Sequence, residues 1–525
     1  MADIDTFLRP LAVDVEEVHG LARTLALRFG ELARESRNQF LSTPISEEVL
    51  RPSRSAEGTF LAIDIGGTNL RVGFVEFLVP GGNNEPVEGP CIRRHLEKAW
   101  PIEEPLKNNN ATDLFAWIGS CIAEVVQKGK DELSMWGTQY PEELPLGVTF
   151  SFPMIQHTLS EAILMSMGKG FAITPDLELG KLLLEGYEAK RDPSLPKIKI
   201  TAIVNDAVAT LVSFAYEYRN SPKRKAAMSL IVGTGCNATI PLALNQLHPS
   251  KRPAQVKMFS DSTATESTKI TVNTEWSING TAAPLQDLNF ITSWDKILDS
   301  QCDNPGFMPF EYMTAGRYLG ELGRIIIVDY LTTALAIPPS TLPPKLLKQH
   351  ALTTTVLGHF GPHLYHVQPS LLRQVELQLP PSDKPDAWQW TPAAAEAVLK
   401  VGQAIQTRAA AMAAAATIAL LSCADEFPLS SPQPPSASSQ LLINDQTPEK
   451  PKELMVGYTG GCISHFQAYL SDCQSFLDAI MDGEFNEGGS VPRVVLMPCH
   501  DGGIIGAGIL AGAVAGMARR GELGG

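Results

Sequence analysis

The sequence predicts an α/β fold of two or more domains, and three observations carry that prediction. Short β-rich runs alternate with longer stretches of helical periodicity along the chain. The length, 525 residues, exceeds the roughly 100–200 residues that one domain usually takes. Hydrophobic residues make up 44% and charged residues 19%, which excludes a mostly disordered chain, and the 42 glycines and 39 prolines show no triplet period.

Between Leu11 and Glu35, apolar residues including Leu21, Leu25, Leu27 and Leu32 recur at helical spacing and predict an amphipathic helix. The run Thr59–Ile65 is β-rich and ends in Gly66-Gly67, and alternation resumes over Leu70–Phe77, so the two form a hairpin around a glycine turn. A helix near Ala111–Lys128, a strand at Pro145–Ser151, a strand at Ile198–Val204 leading into a helix, and a strand Ser229–Val232 before Gly233 follow. Thr391 as N-cap and Pro392 at the first helical position open a long helix that runs through an alanine-rich stretch. The low-complexity stretch Phe427–Ser439 is expected to be a surface loop. Strands at Leu454–Gly457 and Val494–Met497 come next, the latter leading through His500-Asp501-Gly502-Gly503 into a small-residue helix from about Ile505.

The 42 basic and 57 acidic residues give a net charge of −15, a poor match to nucleic acid or an anionic membrane. Eight cysteines without a CxxC pair read as reduced thiols. Acids in the first seventeen residues break the apolar run a secretory leader needs, so a cytoplasmic location is expected. The uncharged stretches Ala409–Ala424 and Gly502–Ala518 fall a little short of the roughly 18–20 strongly apolar residues of a spanning helix, so both are expected to be core helices, with no membrane span.

Chemistry concentrates at two glycine turns. In Asp64-Ile-Gly66-Gly67-Thr68-Asn69-Leu-Arg71, glycines let backbone amides approach an anion, Thr68 and Asn69 can donate to phosphoryl oxygens, and the Asp64 carboxylate suits a hydrated Mg²⁺ rather than phosphate itself. Standing alone, this would be read as a hairpin without a ligand. Gly233-Thr234-Gly235-Cys236-Asn237-Ala238 repeats the device about 170 residues later, as a nucleotide gripped from two sides requires.

The ordered set of motifs resembles the hexokinase family of the actin-like ATPase fold from about Glu57 to Met517. LAIDIGGTNLRVGFV and IVGTGCNA resemble its two phosphate motifs. Leu146–Pro153 followed by Gly168-Lys169-Gly170-Phe171 resembles the sugar-binding segment, Val204-Asn205-Asp206 the catalytic segment, and VNTEWSING and NPGFMPFE the segments whose glutamates hold sugar. The resemblance implies a two-lobed α/β actin-like ATPase (ribonuclease H-like) fold of hexokinase type with a cleft between lobes: a small lobe of residues 59–205 completed by the helix 503–525, and a large lobe of residues 206–502 with 1–58. It implies ATP and Mg²⁺, with Asp206 as general base, Lys169 neutralising charge on the transferred group, and Asp64 holding Mg²⁺ through water. Ser151, Gly168, Lys169, Asn205, Asp206, Asn237, Glu275, Met308 and Glu311 would line the sugar; Asp64, Gly66, Gly67, Thr68, Asn69, Arg71, Gly233, Thr234, Gly460, Asp501 and Gly502 would line the nucleotide. In isolation, Asp206 is also open to a reading as a helix N-cap after a strand.

Departures from the family pattern bear on substrate. Met167-Gly168 stands for the usual Trp-Thr, Met308 for a Gln, Ser277 for a Gly and Ala207 for a Thr, which removes polar contacts and leaves room for a larger, partly apolar ring substituent. Gly457-Tyr458-Thr459-Gly460-Gly461 and Asp501-Gly502-Gly503-Ile504 drift from the adenosine-side motifs. This pattern resembles the divergent fungal N-acetylglucosamine kinases, and the expected activity is 6-phosphorylation of N-acetylglucosamine. The alternatives are an ordinary hexokinase acting on glucose, fructose or mannose, and a catalytically weak hexokinase-like regulator. His359, His363 and His366 have metal-like spacing, but Gly361-Pro362 interrupts it and favours loop histidines; Lys223-Arg224-Lys225 reads as a solvated charge run. The oligomeric state is left open.

Overall fold

The structure is a computed structural model. It describes residues 3–50, 58–77, 92–107, 110–132, 141–165, 175–219, 221, 223–253, 255–256, 263–360, 370–430, 451–485 and 491–519. Gly168, Lys169, His363, His366, Cys91 and residues 431–439 of the expected surface loop lie outside these.

After a single turn, α1 (Ile4–Phe7), α2 (Val15–Glu35) starts four residues later than the Leu11 expected from periodicity. Asp14 sets that start: its side chain accepts from Glu17 N–H while Glu17 returns the bond, a capping box. Leu21, Leu25 and Leu32 are buried as expected, whereas Leu27 is 52% exposed, because the wet face of the helix falls there. The strands β1 (Leu41–Ser46), β2 (Gly58–Ile65), β3 (Asn69–Phe77) and β4 (Ile92–Pro101) precede α3 (Ala111–Asp131), which the Asn110 side chain caps. Then come β5 (Glu143–Phe150), β6 (Met154–Thr158), β7 (Glu161–Leu164), α4 (Leu179–Glu188), β8 (Lys197–Val204), α5 (Asp206–Glu217), β9 (Arg224–Val232), β10 (Cys236–Ala243) and β11 (Lys269–Asn273). A helical stretch follows: α6 (Ala282–Asp287), α7 (Ser293–Ser300), α8 (Pro309–Thr314), α9 (Gly316–Asp329), α10 (Pro344–Leu347), α11 (Thr354–Gly358), α12 (Leu371–Gln378) and α13 (Pro392–Cys423). The chain closes with β12 (Glu453–Thr459), α14 (Gly461–His465), α15 (Tyr469–Phe485), β13 (Arg493–Pro498) and α16 (Gly502–Arg519).

Packing divides the chain into two compact units: a first of Met1–Gln39, Leu230–Asn237 and Trp276–Leu496, and a second of Phe40–Ser229, Ala238–Glu275 and Met497–Gly525. The expected junction at Asn205/Asp206 falls inside the second unit, because α5 packs on α16 there.

The second unit is built on a five-stranded sheet ordered β4-β3-β2-β5-β8. β2 and β3 form the expected antiparallel hairpin, with Asp64 opposite Arg71, while β5 and β8 run parallel to β2. Strand alternation sends Leu61, Ile63, Leu146 and Val148 to one face, where α3 and α4 bury them with Phe115, Ile122, Leu183 and Tyr187. Their neighbours Asp64, Gly147 and Thr149 point to the other face, which α16 covers. α16 lies so close to α5 that a Cβ on Gly506 would sit 2.1 Å from the Ala209 carbonyl oxygen. A separate antiparallel group, β1-β11-β10, pairs Leu41 and Thr239 with Asn273.

The first unit is organised around α13, whose N-cap is Thr391 with Pro392 at its first position, as expected. This helix is long and apolar enough to cross a membrane, yet 89% of its most apolar window is buried between α2 and α15, the place of a core helix. Its Arg408 is 1% exposed and makes two 2.7 Å bonds to Asp295, which also accepts from Thr292. Phe29 stacks on Trp276, which Phe310 meets at a tilt, and the three rings continue the core. β12 and β13 lie side by side in this unit.

Candidate active site

In the second unit the first glycine turn is closed by a 2.9 Å bond from Gly66 N–H to the Asn69 carbonyl, and it leaves Thr68 and Asn69 exposed. Thr68 is held from behind, its carbonyl accepting from Ile102 N–H at 2.8 Å. Asp64 ends β2 on the α16 face. Burial pushes its carboxyl up to about 7; Arg71 pulls back, while Asp206, Glu97 and Asp501 add to the rise. A carboxylate destabilised in this way gains most from a cation. Among the described residues no three His, Cys, Asp or Glu side chains are grouped to hold a metal directly; the oxygen donor of Asp64, beside the hydroxyl and amide of the exposed Thr68 and Asn69, is of the kind that would hold a hydrated Mg²⁺.

Gly503, the second residue of α16, makes room for that carboxylate: a Cβ there would lie 2.6 Å from Asp64 Oδ2. Thr149 fixes the position by donating to the Gly503 carbonyl at 2.8 Å. Asp501 adopts a φ of 56° immediately before the helix. Both its oxygens accept from arginines, Arg71 at 2.7 Å and Arg94 at 3.0 Å. Gly502 begins α16 beside Thr210.

Asp206 sits in the first turn of α5, and the N-cap of that helix is Asn205, whose side chain accepts from Ala207 N–H at 2.9 Å. The capping role that Asp206 could have filled is thus already filled. Asp206 Oδ1 also accepts from Ala207 N–H at 2.9 Å. Ser151 follows β5 and is buried, with its N–H donating to Ile65. Glu275 has a φ of 46°, and its carboxylate accepts from the Asn273 amide at 2.8 Å.

In the first unit the second glycine turn is closed by Gly233 N–H donating to the Gly235 carbonyl at 2.9 Å. Gly316 N–H donates to the Gly233 carbonyl and Arg317 N–H to the Thr234 carbonyl, which ties the turn to α9. Glu311, on α8, accepts from Cys236 N–H at 3.1 Å, and Ser277, the residue standing for a glycine, donates to the Cys236 carbonyl. Met308 is the N-cap of α8 and offers no side-chain cap. Gly460 follows β12 with a φ of 120° and is the N-cap of α14. Asn237 is partly buried at the start of β10.

Sequence reasoning missed Arg94, Glu97 and Thr149. β4 reads as a charged, irregular stretch, and only its pairing to β3 brings Glu97 near Asp64 and Arg94 to Asp501; Thr149 is a polar residue in an apolar strand. Of the other candidates, Lys225 pairs with Glu47 at 3.1 Å, and His359, read as a loop histidine, follows α11, while His363 and His366 lie outside the described residues.

The sheet, its two covered faces and the paired glycine turns define a hexokinase-type two-lobed α/β fold. A hexokinase structure from Schistosoma mansoni, in complex with glucose, matches with a TM-score of 0.71 at 24% identity over 97% of this chain and 98% of that one. A second hexokinase crystal structure matches at 0.69 and 22% identity, covering 97% and 98%. Residues 3–216 and 227–513 match the two family models described as Hexokinase, and the chain belongs to the hexokinase family. Hexokinase-1 of Oryza sativa subsp. japonica is 26% identical over 512 residues, covering 94% of this chain and 87% of its own. Hexokinase-2 of Equus caballus is 28% identical over 372 residues, 70% of this chain; the matched part spans 35% of that relative's length.

Proposed function

We propose that this chain transfers the γ-phosphoryl group of ATP to the 6-hydroxyl of a hexose, in the cytoplasm, with sugar and ATP as its partners. The observation that carries the proposal is Asp206: a carboxylate in the first turn of α5, relieved of capping by Asn205 and near enough to Asp64 to raise that group's pKa. Asp206 accepts the proton of the attacking hydroxyl, and the backbone amides of the two glycine turns, with Thr68, Asn69 and Thr234, orient phosphoryl oxygens. Lys169 neutralises charge on the transferred group. Mg²⁺, when bound, supplies charge compensation on the phosphates, and Asp64 holds its hydration shell. Ser151, Asn205, Asn237, Glu275 and Glu311 hold the remaining sugar hydroxyls. Asp501 acts through Arg71.

For the sugar, a glucose-type hexose is supported by the hexokinase names of the relatives and by the glucose in one matching structure. A second possibility, N-acetylglucosamine, is favoured by Met308, which places an apolar side chain at the N-cap of the helix that carries Glu311. A coupled ADP-release assay with glucose, mannose and N-acetylglucosamine side by side tests all of these. Turnover on none of them would refute the kinase proposal in favour of a regulator. If the acetylated sugar is preferred, Met308→Gln is expected to shift the ratio of kcat/KM values toward glucose by about three-fold or more, on the scale of a single polar contact; an unmoved ratio removes Met308 from selectivity.

A further inference from the structure

Between α6, α7 and the start of α8, the first unit holds a cavity of about 240 Å³ that the proposed phosphoryl transfer does not use. Its lining is apolar at Ala282, Ile291, Pro309 and Met313, and polar at the exposed Gln286, Asn289 and Lys296. The walls are fixed in place. Asp299 accepts from Gly306 N–H at 2.7 Å, and the Tyr312 hydroxyl donates to the Asn304 carbonyl at 3.0 Å, so the 301–308 loop is tied to α7 and α8. Asp295 also lines the cavity, but Arg408 and Thr292 occupy its oxygens.

What remains to meet a ligand is one Asp299 oxygen, two side-chain amides and the Lys296 ammonium, none of which has a protein hydrogen-bond partner among the described residues. One negative and one positive charge balance, so the lining selects against phosphates and other strong ions. Both donors and acceptors are offered beside an apolar surface, which matches the hydroxyl rim and C–H face of a saturated ring. A volume of about 240 Å³ is many times the roughly 10–15 Å³ that one water needs, enough for one six-membered ring with its hydroxyls.

We propose that this cavity binds a neutral cyclic polyol and that its occupancy is felt at Glu311. Pro309, Tyr312 and Met313 stand at i, i+3 and i+4, on the face of α8 toward the cavity. Glu311 lies on the other side of the same helix, where it accepts from Cys236 N–H. A ligand pressing on α8 therefore moves the carboxylate that buttresses the second glycine turn.

The test uses myo-inositol, which lacks the hydroxymethyl group that a hexose kinase phosphorylates, and the full-length chain. Saturation-transfer NMR is expected to show saturable binding in the millimolar range. The hexose KM at saturating inositol is expected to change three-fold or more, with kcat within two-fold. Ala282→Leu fills the cavity from the partly exposed start of α6 and is expected to abolish both effects. Lys296→Met, on an exposed side chain, is expected to weaken inositol five-fold or more and serves if the first variant does not fold. Absence of saturable transfer, or transfer that survives both substitutions unchanged, overturns the site. Binding without a change in KM overturns the link to Glu311, which rests on the kinase proposal. Binding that is lost in Ala282→Leu, in a chain that phosphorylates no hexose, upholds the site and refutes the kinase proposal instead.

Discussion

Replacing Gly503 by alanine adds one methyl at the most crowded point behind Asp64. The new carbon would lie 2.6 Å from Asp64 Oδ2 and 2.8 Å from its Cγ, against an ordinary contact of 3.4 Å or more. About 0.8 Å of movement is therefore required of one partner. The helix is the stiffer of the two: Thr149 holds the Gly503 carbonyl, and one turn on, Gly506 already abuts the Ala209 carbonyl. The carboxylate yields. A shift approaching 1 Å in a positioned group costs up to about 10²-fold in rate, so kcat/KM is expected to fall roughly 10–100-fold, with a higher Mg²⁺ concentration needed for half-maximal activity. Folding should change little, because alanine gains about 0.5–1 kcal/mol of helix propensity over glycine. Gly506→Ala serves as the contrast, since its methyl would meet backbone at 2.1 Å and should lower the melting temperature. Steady-state kinetics across a Mg²⁺ series, with thermal melts of both variants, decide the matter. Wild-type turnover and unaltered Mg²⁺ dependence in Gly503→Ala would refute the role given to Asp64.

Further outcomes are expected elsewhere. Asp206→Ala should reduce turnover by about 10²–10⁴-fold or more while leaving the melting temperature nearly unchanged, because Asn205 still caps α5; a variant with most of its activity removes Asp206 from the chemistry. Glu484 is buried, which by itself would raise its pKa, but hydrogen bonds from Ser430, Arg23 and His19 outweigh burial and hold it at about 2, below its ordinary 4.5. Its stabilisation, about 3 kcal/mol at most, is present above pH 4.5 and lost as pH falls from there toward 2; urea denaturation of Glu484→Gln should show a flatter acid limb, and an identical limb contradicts the assignment. Arg408→Met strands Asp295, 4% exposed, with only Thr292 for company, and should cost about 3–5 kcal/mol by chemical denaturation; a loss under about 1 kcal/mol would mean that the pair is not what holds α13 to α7.

Several strands and helices were legible because their local chemistry agreed with their packing. The hairpin around Gly66-Gly67, the strand into Asn205 and the Thr391-Pro392 helix start all carry signals within four residues of the element they define. What stayed hidden depends on distant partners. Leu27 fits the apolar period of α2 and still faces water, since periodicity gives a stripe but not its edges. β4 carries Arg93, Arg94, Glu97 and Lys98 on a strand that earns its place only by pairing with β3. Asp501 was read from its motif as a nucleotide contact, and nothing near it in sequence announces Arg71 and Arg94, more than 400 residues away, as its partners.

The cover that α16 provides over β2 and β5 has a consequence for how the protein is made. Arg71 and Asp501 are separated by 430 positions, and the intervening chain forms most of the other unit. Thr149 and its partner Gly503 are 354 positions apart, so on a ribosome moving at about 5–20 residues per second the sheet face bearing Asp64, Gly147 and Thr149 waits roughly 20–70 s for its covering helix to emerge. During that interval one side of a mixed sheet, whose parallel strands β2, β5 and β8 are built to be shielded on both sides, stands wet. The nascent second unit is therefore a natural client for chaperones, and synonymous codon changes that slow translation between residues 276 and 496 should lengthen its exposure without altering the mature protein.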